Sequence, residues 1–147
     1  MKLNVSITDI SLYDLVYLLS TAISGEVFGF HYNKDDYYGT ELEDENDCLE
    51  DKCAKILLEG KSIIVTDYMG EGDESYGDLP NKPSKFGEAI DYEVTLEDIK
   101  KGLEKCFTCS EYQAANVVTL VENPSDFDAY MADCVMEVIV FGEIIYG

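Results

Sequence analysis

Cys106-Phe-Thr-Cys109 has the two-residue gap of a zinc knuckle or a redox dithiol, and Cys48 with Cys53 offers two further thiolates. A redox dithiol works from a helix N-terminus, where the dipole lowers the thiol pKa. Here Leu96, Ile99, Leu103, Cys106 and Phe107 share one face at helical spacing, which puts the pair at a helix C-terminus instead. Cys48 and Cys53 are five residues apart, so on a helix they diverge by about 140°. Cys53, Cys106 and Cys134 all fall on apolar faces, where free cysteine acts as a small hydrophobe. His31 is the one histidine, and no serine or cysteine beside it has the setting of a nucleophile. "DENDCLED" lacks the glycine and the ligand spacing of a calcium loop, and no Walker or GxGxxG loop occurs. The chain therefore reads as a non-enzyme without a cofactor, with a zinc-bound structural module as one alternative.

The remaining constellation is acidic and aromatic. "TELEDENDCLEDK", Thr40 to Lys52, holds seven carboxylates and one lysine. Asp35, Asp36, Tyr37 and Tyr38 precede it, and a second acidic stretch lies between Met69 and Gly87. Tyrosine supplies rigid contact area while carboxylates steer a basic partner. The expected partner-binding residues are Asp35, Asp36, Tyr37, Tyr38, Glu41, Glu43, Asp44, Glu45 and Asp47, together with Glu71, Asp73, Glu74 and Tyr76 from the second stretch. Asp47, Glu50 and Asp51 also have a purely structural use, as anions in the first turn of a helix.

The whole chain shares this bias. Its 147 residues carry 31 Asp and Glu against 10 Lys and no Arg, a formal net charge of −21. A compact domain of this length is about 38 Å across, and duplex DNA of that length carries about 22 charges. The charge is thus that of a DNA segment of the protein's own size. It argues against direct nucleic-acid binding, which needs a basic stripe to release counterions. "MKLNVSITDI" lacks the apolar core of a signal peptide, and no apolar run approaches the roughly 18 residues of a membrane span. The reading is a cytoplasmic protein with reduced thiols and no membrane partner.

The elements that must position these residues follow from periodicity. Leu3, Val5 and Ile7 alternate as in a strand. Ser11 and Asp14 open a capping box for a helix that runs through Leu12, Leu15, Val16, Leu19 and Ile23 to Gly25. Val27 to Tyr32 reads as a short strand leading into an acidic loop, and Leu49, Cys53, Ile56 and Leu57 mark the next helix, stopped by Gly60. "KSIIVTDY" (61 to 68) and "AIDYEV" (89 to 94) read as two strands of a long-looped hairpin. A helix over 96 to 107 opens at the Thr95 and Asp98 capping box, a buried helical segment runs from Glu111 to Asn123, and a final helix follows Asp126. The expected fold is a single α+β domain, a small, mostly antiparallel sheet packed against four to five helices.

The capped first helix ending at Gly25, the segment "TLEDIKKGLEK" and the terminal "FGEIIYG" resemble a loosely defined family of small acidic proteins encoded by phages and prophages. Members often place a tryptophan after the first helix, where this chain has Phe28 and Phe30. The resemblance carries no catalytic motif. It implies an anti-defence protein, such as an anti-CRISPR, located in the host cytoplasm. Together with the charge, it leads to the expectation of a DNA-mimic-like inhibitor of a basic nucleic-acid-binding host protein, a CRISPR effector first. The alternative from another class is a protein that sequesters a small nucleotide defence signal.

Overall fold

The computed structural model describes residues 9–70, 78–108 and 122–146. Within them lie five α-helices and a four-stranded antiparallel sheet. Helix α1 (Leu12–Ile23) begins where the Ser11 hydroxyl accepts the Asp14 N–H at 3.1 Å, and it buries Leu15, Leu18, Leu19 and Ala22. Strand β1 (Phe28–His31) follows, then the short helix α2 (Lys34–Tyr38), helix α3 (Leu49–Leu58) and strand β2 (Ile63–Asp67). The chain continues through β3 (Asn81–Pro83), β4 (Ile90–Val94), helix α4 (Leu96–Thr108) and helix α5 (Ala129–Phe141). The single α+β domain with a small antiparallel sheet and five helices matches the expectation from periodicity. The strand expected over residues 2 to 7 and the helical segment from Glu111 lie outside the described residues.

The sheet order is β1-β2-β4-β3. Strands β2 and β4 pair as expected, with Val65 opposite Tyr92 and Ile63 opposite Val94. Strand β3 is an addition within the stretch read as a loop. Its Pro83 marks a break in sequence, yet proline is tolerated on an edge strand, and among the described residues β3 is an edge paired to β4. Helix α2 also stands where a loop was expected. Three charged residues and two tyrosines show no periodicity, but the Asn33 side chain accepts the Asp35 N–H at 2.9 Å and starts the turn.

The helices cover the sheet face that carries Phe28, Phe30, Ile63, Val65, Tyr92 and Val94, and these residues share one core with Leu15, Ile56, Leu57, Ile99 and Val135. Helices α4 and α5 approach closely at Gly102, where a Cβ would collide with the side chain and Cα of Ile139. Thr95 and Asp98 bond reciprocally to start α4, as their spacing requires. Helix α5 starts at Asp128, whose side chain accepts the Met131 N–H at 2.8 Å, and stops at Gly142 with φ +77°.

Helix α5 also brings acids inside. Glu137 is 2% exposed, and its Oε1 accepts the backbone N–H groups of Ile145 and Tyr146 at 3.0 and 2.5 Å. The hydroxyl of Tyr146 donates to buried Asp67 at 2.6 Å, so two interior carboxylates hold the last turn of chain. Asp133 packs against Gly25, where a Cβ would lie 2.5 Å from its Oδ1, and that oxygen has no hydrogen-bond partner. Burial pushes the Asp133 carboxyl up to about 6 from 3.8. The folded state thus holds this proton more tightly than the unfolded chain does. Its contribution to stability is present below pH about 4 and is lost as the pH rises through about 6. Asp133→Asn is expected to raise the urea midpoint at about pH 7.5 and to change it little at about pH 4, as measured by denaturant titration at both values.

Candidate functional site

The acidic segment between α2 and α3 is held by an interior polar cluster. Tyr37, on α2, is 2% exposed. Its hydroxyl lies 2.7 Å from Asp47 Oδ2 and 2.8 Å from the Asp44 carbonyl, and it accepts the Asp44 N–H at 3.0 Å. A phenol has one proton, and the charged carboxylate is the stronger acceptor for it. Lys55, from the buried face of α3, donates to Asp47 Oδ2 and to the Leu42 carbonyl, both at 2.6 Å. The Lys55 and Asp47 side chains are each 10% exposed.

These contacts set the local acid–base behaviour. Burial alone would raise Asp47, but the hydrogen bonds from Lys55 and Tyr37 outweigh it and hold the carboxyl below its usual range. Burial, reinforced by the bond to Asp47, holds the Tyr37 phenol above its usual value. Lys52 lies over the rings of Tyr32 and Tyr37, at 5.6 and 5.3 Å from their centroids, and closes the other side of the cluster.

The cluster fixes a turn whose acids face outward. Glu41, Glu43, Asp44 and Glu45 are all exposed. The Glu41 N–H reaches Glu59 at 3.4 Å, and Asp44 Oδ1 accepts the Asn46 backbone N–H at 2.9 Å. Tyr38 is 61% and Leu42 53% exposed, so an aromatic and an aliphatic side chain stand among the carboxylates. Asp35 is exposed, whereas Asp36 lies 3.9 Å from Lys61.

Two expected contact residues are therefore reassigned. Tyr37 and Asp47 are turned into the protein, because the phenol, the carboxylate and Lys55 satisfy one another there. Asp51 has the structural use expected of it, accepting the Cys48 N–H at 2.9 Å at the start of α3. Glu71, Asp73, Glu74 and Tyr76 lie outside the described residues. Lys55 was not anticipated. Its position beside Ile56 and Leu57 was the available signal, since a lysine on an apolar face needs a buried partner.

The thiols sit apart from this cluster. Cys48 is exposed while Cys53, Cys106 and Cys134 are buried, and Cys109 lies outside the described residues. Burial pushes the Cys53 thiol up to about 12 and the Cys134 thiol up to about 11, so both are held protonated. Among the described residues no group of three or more His, Cys, Asp or Glu is placed to hold a metal, and no helix is long and apolar enough to cross a membrane. No family model matches the chain, and no curated protein or solved structure matches it.

Proposed function

We propose that this protein is a non-enzymatic inhibitor of the anti-defence type, which presents a rigid acidic surface to the basic nucleic-acid channel of a host nuclease such as a CRISPR effector. The observation that carries the reading is the interior cluster of Tyr37, Asp47 and Lys55 beneath the exposed carboxylates of Glu41, Glu43, Asp44 and Glu45. Acids that served only solubility would need no buried ion pair to orient them. Fixing them in advance removes an ordering cost from binding and lets them act together.

A net charge of −21 supplies long-range steering toward a basic channel. Tyr38 and Leu42 supply the apolar contact that a purely ionic surface lacks. The reading is tested by competition. A guide-loaded effector that binds the protein is expected to lose duplex DNA as the protein is added, and excess DNA is expected to release the protein. Simultaneous, independent binding of both ligands would refute it.

A further inference from the structure

We infer that the corner between Tyr32 and Tyr37 is a cation pocket for an arginine side chain of the partner, and that Lys52 fills it as a displaceable plug until the partner docks. The Tyr32 and Tyr37 rings stand 6.2 Å apart at 74° to one another, and the Tyr38 ring lies 5.4 Å from that of Tyr37. The Lys52 ammonium sits in this corner, 5.6 and 5.3 Å from the Tyr32 and Tyr37 centroids, where a ring face attracts a cation. Lys52 and Tyr32 are both partly exposed, so the corner opens to solvent.

The plug is lightly held. Lys55, one turn further along α3, takes Asp47, Lys61 takes Asp36 and Lys100 takes Glu97, but no carboxylate pairs with Lys52 among the described residues. Its hydrogen bond is a long one, 3.4 Å to the neutral hydroxyl of Tyr32. A lysine that ends a run of seven carboxylates therefore rests on tyrosine rings instead. Its ammonium is a compact, strongly hydrated charge on a flexible stem, which gains little from a ring at an exposed site. A guanidinium is planar, more weakly hydrated and stacks flat on an aromatic face, so it gains more from the same corner. This chain has no Arg, so an arginine in the corner comes from another molecule.

The place of the corner indicates which molecule. The Tyr37 hydroxyl ties down the acidic turn through Asp44 and Asp47, while the face of the same ring is a wall of the corner. A basic side chain drawn to the exposed acids of that turn thus arrives beside the rings. This inference rests on the reading of the acidic turn as a docking face, and the experiment separates the two.

The probes are acetylated, amidated hexaarginine and hexalysine, and tetramethylammonium, each added to the full chain while tyrosine and lysine side-chain signals are followed by NMR. Hexaarginine is expected to bind about 5-fold more tightly than hexalysine, to shift the ring signals of Tyr32 and Tyr37, and to move the Lys52 signals to those of a solvated lysine. Tyr32→Phe keeps the ring face and is expected to keep the preference, whereas Tyr32→Leu is expected to lose most of it. Reversing Glu41, Glu43, Asp44 and Glu45 to lysine is expected to weaken both peptides yet leave the ring shifts at saturation. If that variant bound as wild type does, the acidic reading would fail while the pocket stood. Binding of both peptides with the Tyr32 and Tyr37 signals unmoved, or moved equally by each, would overturn the pocket and leave the acidic reading. A preference undiminished in Tyr32→Leu would do the same. Release of Lys52 by less tetramethylammonium than hexaarginine would overturn it in favour of a quaternary ammonium ligand, and no binding by either peptide would overturn both readings.

Discussion

Reversing Glu41, Glu43, Asp44 and Glu45 to lysine together is expected to weaken binding to a basic partner by about 100-fold at low salt. All four side chains are exposed, so the fold is expected to survive with a small cost at Asp44, whose carboxylate caps the Asn46 N–H. A single exposed ion pair contributes only about 0–1 kcal/mol, so one reversal changes little. Four carboxylates held on one turn act on the same partner surface, and their loss is felt in both approach and docking. Calorimetric or surface-based affinity measurement checks the first part and circular dichroism the second. Retained affinity with an intact fold would assign this turn to solubility.

Lys55→Met is expected to destabilise the protein by about 3 kcal/mol, the largest stability effect anticipated for a residue outside the hydrocarbon core. The substitution leaves the Asp47 carboxylate, whose side chain is 10% exposed, without its cation, and it strips the Leu42 carbonyl of the Lys55 donor. Denaturant unfolding at neutral pH measures the loss. Adding Asp47→Leu removes the stranded charge and is expected to recover much of the stability, because two matched apolar groups replace a buried pair at little net cost. Partner affinity is not expected to recover, since the turn from Glu41 to Glu45 then has no anchor. An unfolding midpoint unchanged by Lys55→Met would show that the cluster does not hold the turn.

How much of this was legible beforehand depended on period and length. Helices α1, α3, α4 and α5 repeat apolar residues over ten or more positions, and capping residues at Ser11 and Thr95 mark their starts. Strands β2 and β4 carry β-branched or aromatic residues and pair as their hairpin order suggests. Helix α2 is five residues long, too short for a period, so the inward turn of Tyr37 had no sequence signal. Strand β3 is exposed throughout and contains a proline, so neither hydrophobicity nor propensity announces it. The acidic segment itself was visible as charge. Its division into outward acids and one inward acid was not, because Asp47 is set apart by Tyr37, ten residues before it, and Lys55, eight residues after it, both on other elements.

In the proposed function, a pre-set acidic face competes with nucleic acid for a basic channel. The most direct measurement is the displacement of duplex DNA from a guide-loaded CRISPR effector, titrated with this protein at a series of salt concentrations. The account predicts competitive displacement, in which rising protein raises the DNA concentration needed for half-saturation without lowering the maximum. It also predicts an affinity of the protein for the effector that falls steeply as salt rises, because paired charges are screened. An affinity flat across that salt range, or DNA occupancy unchanged by saturating protein, would contradict it.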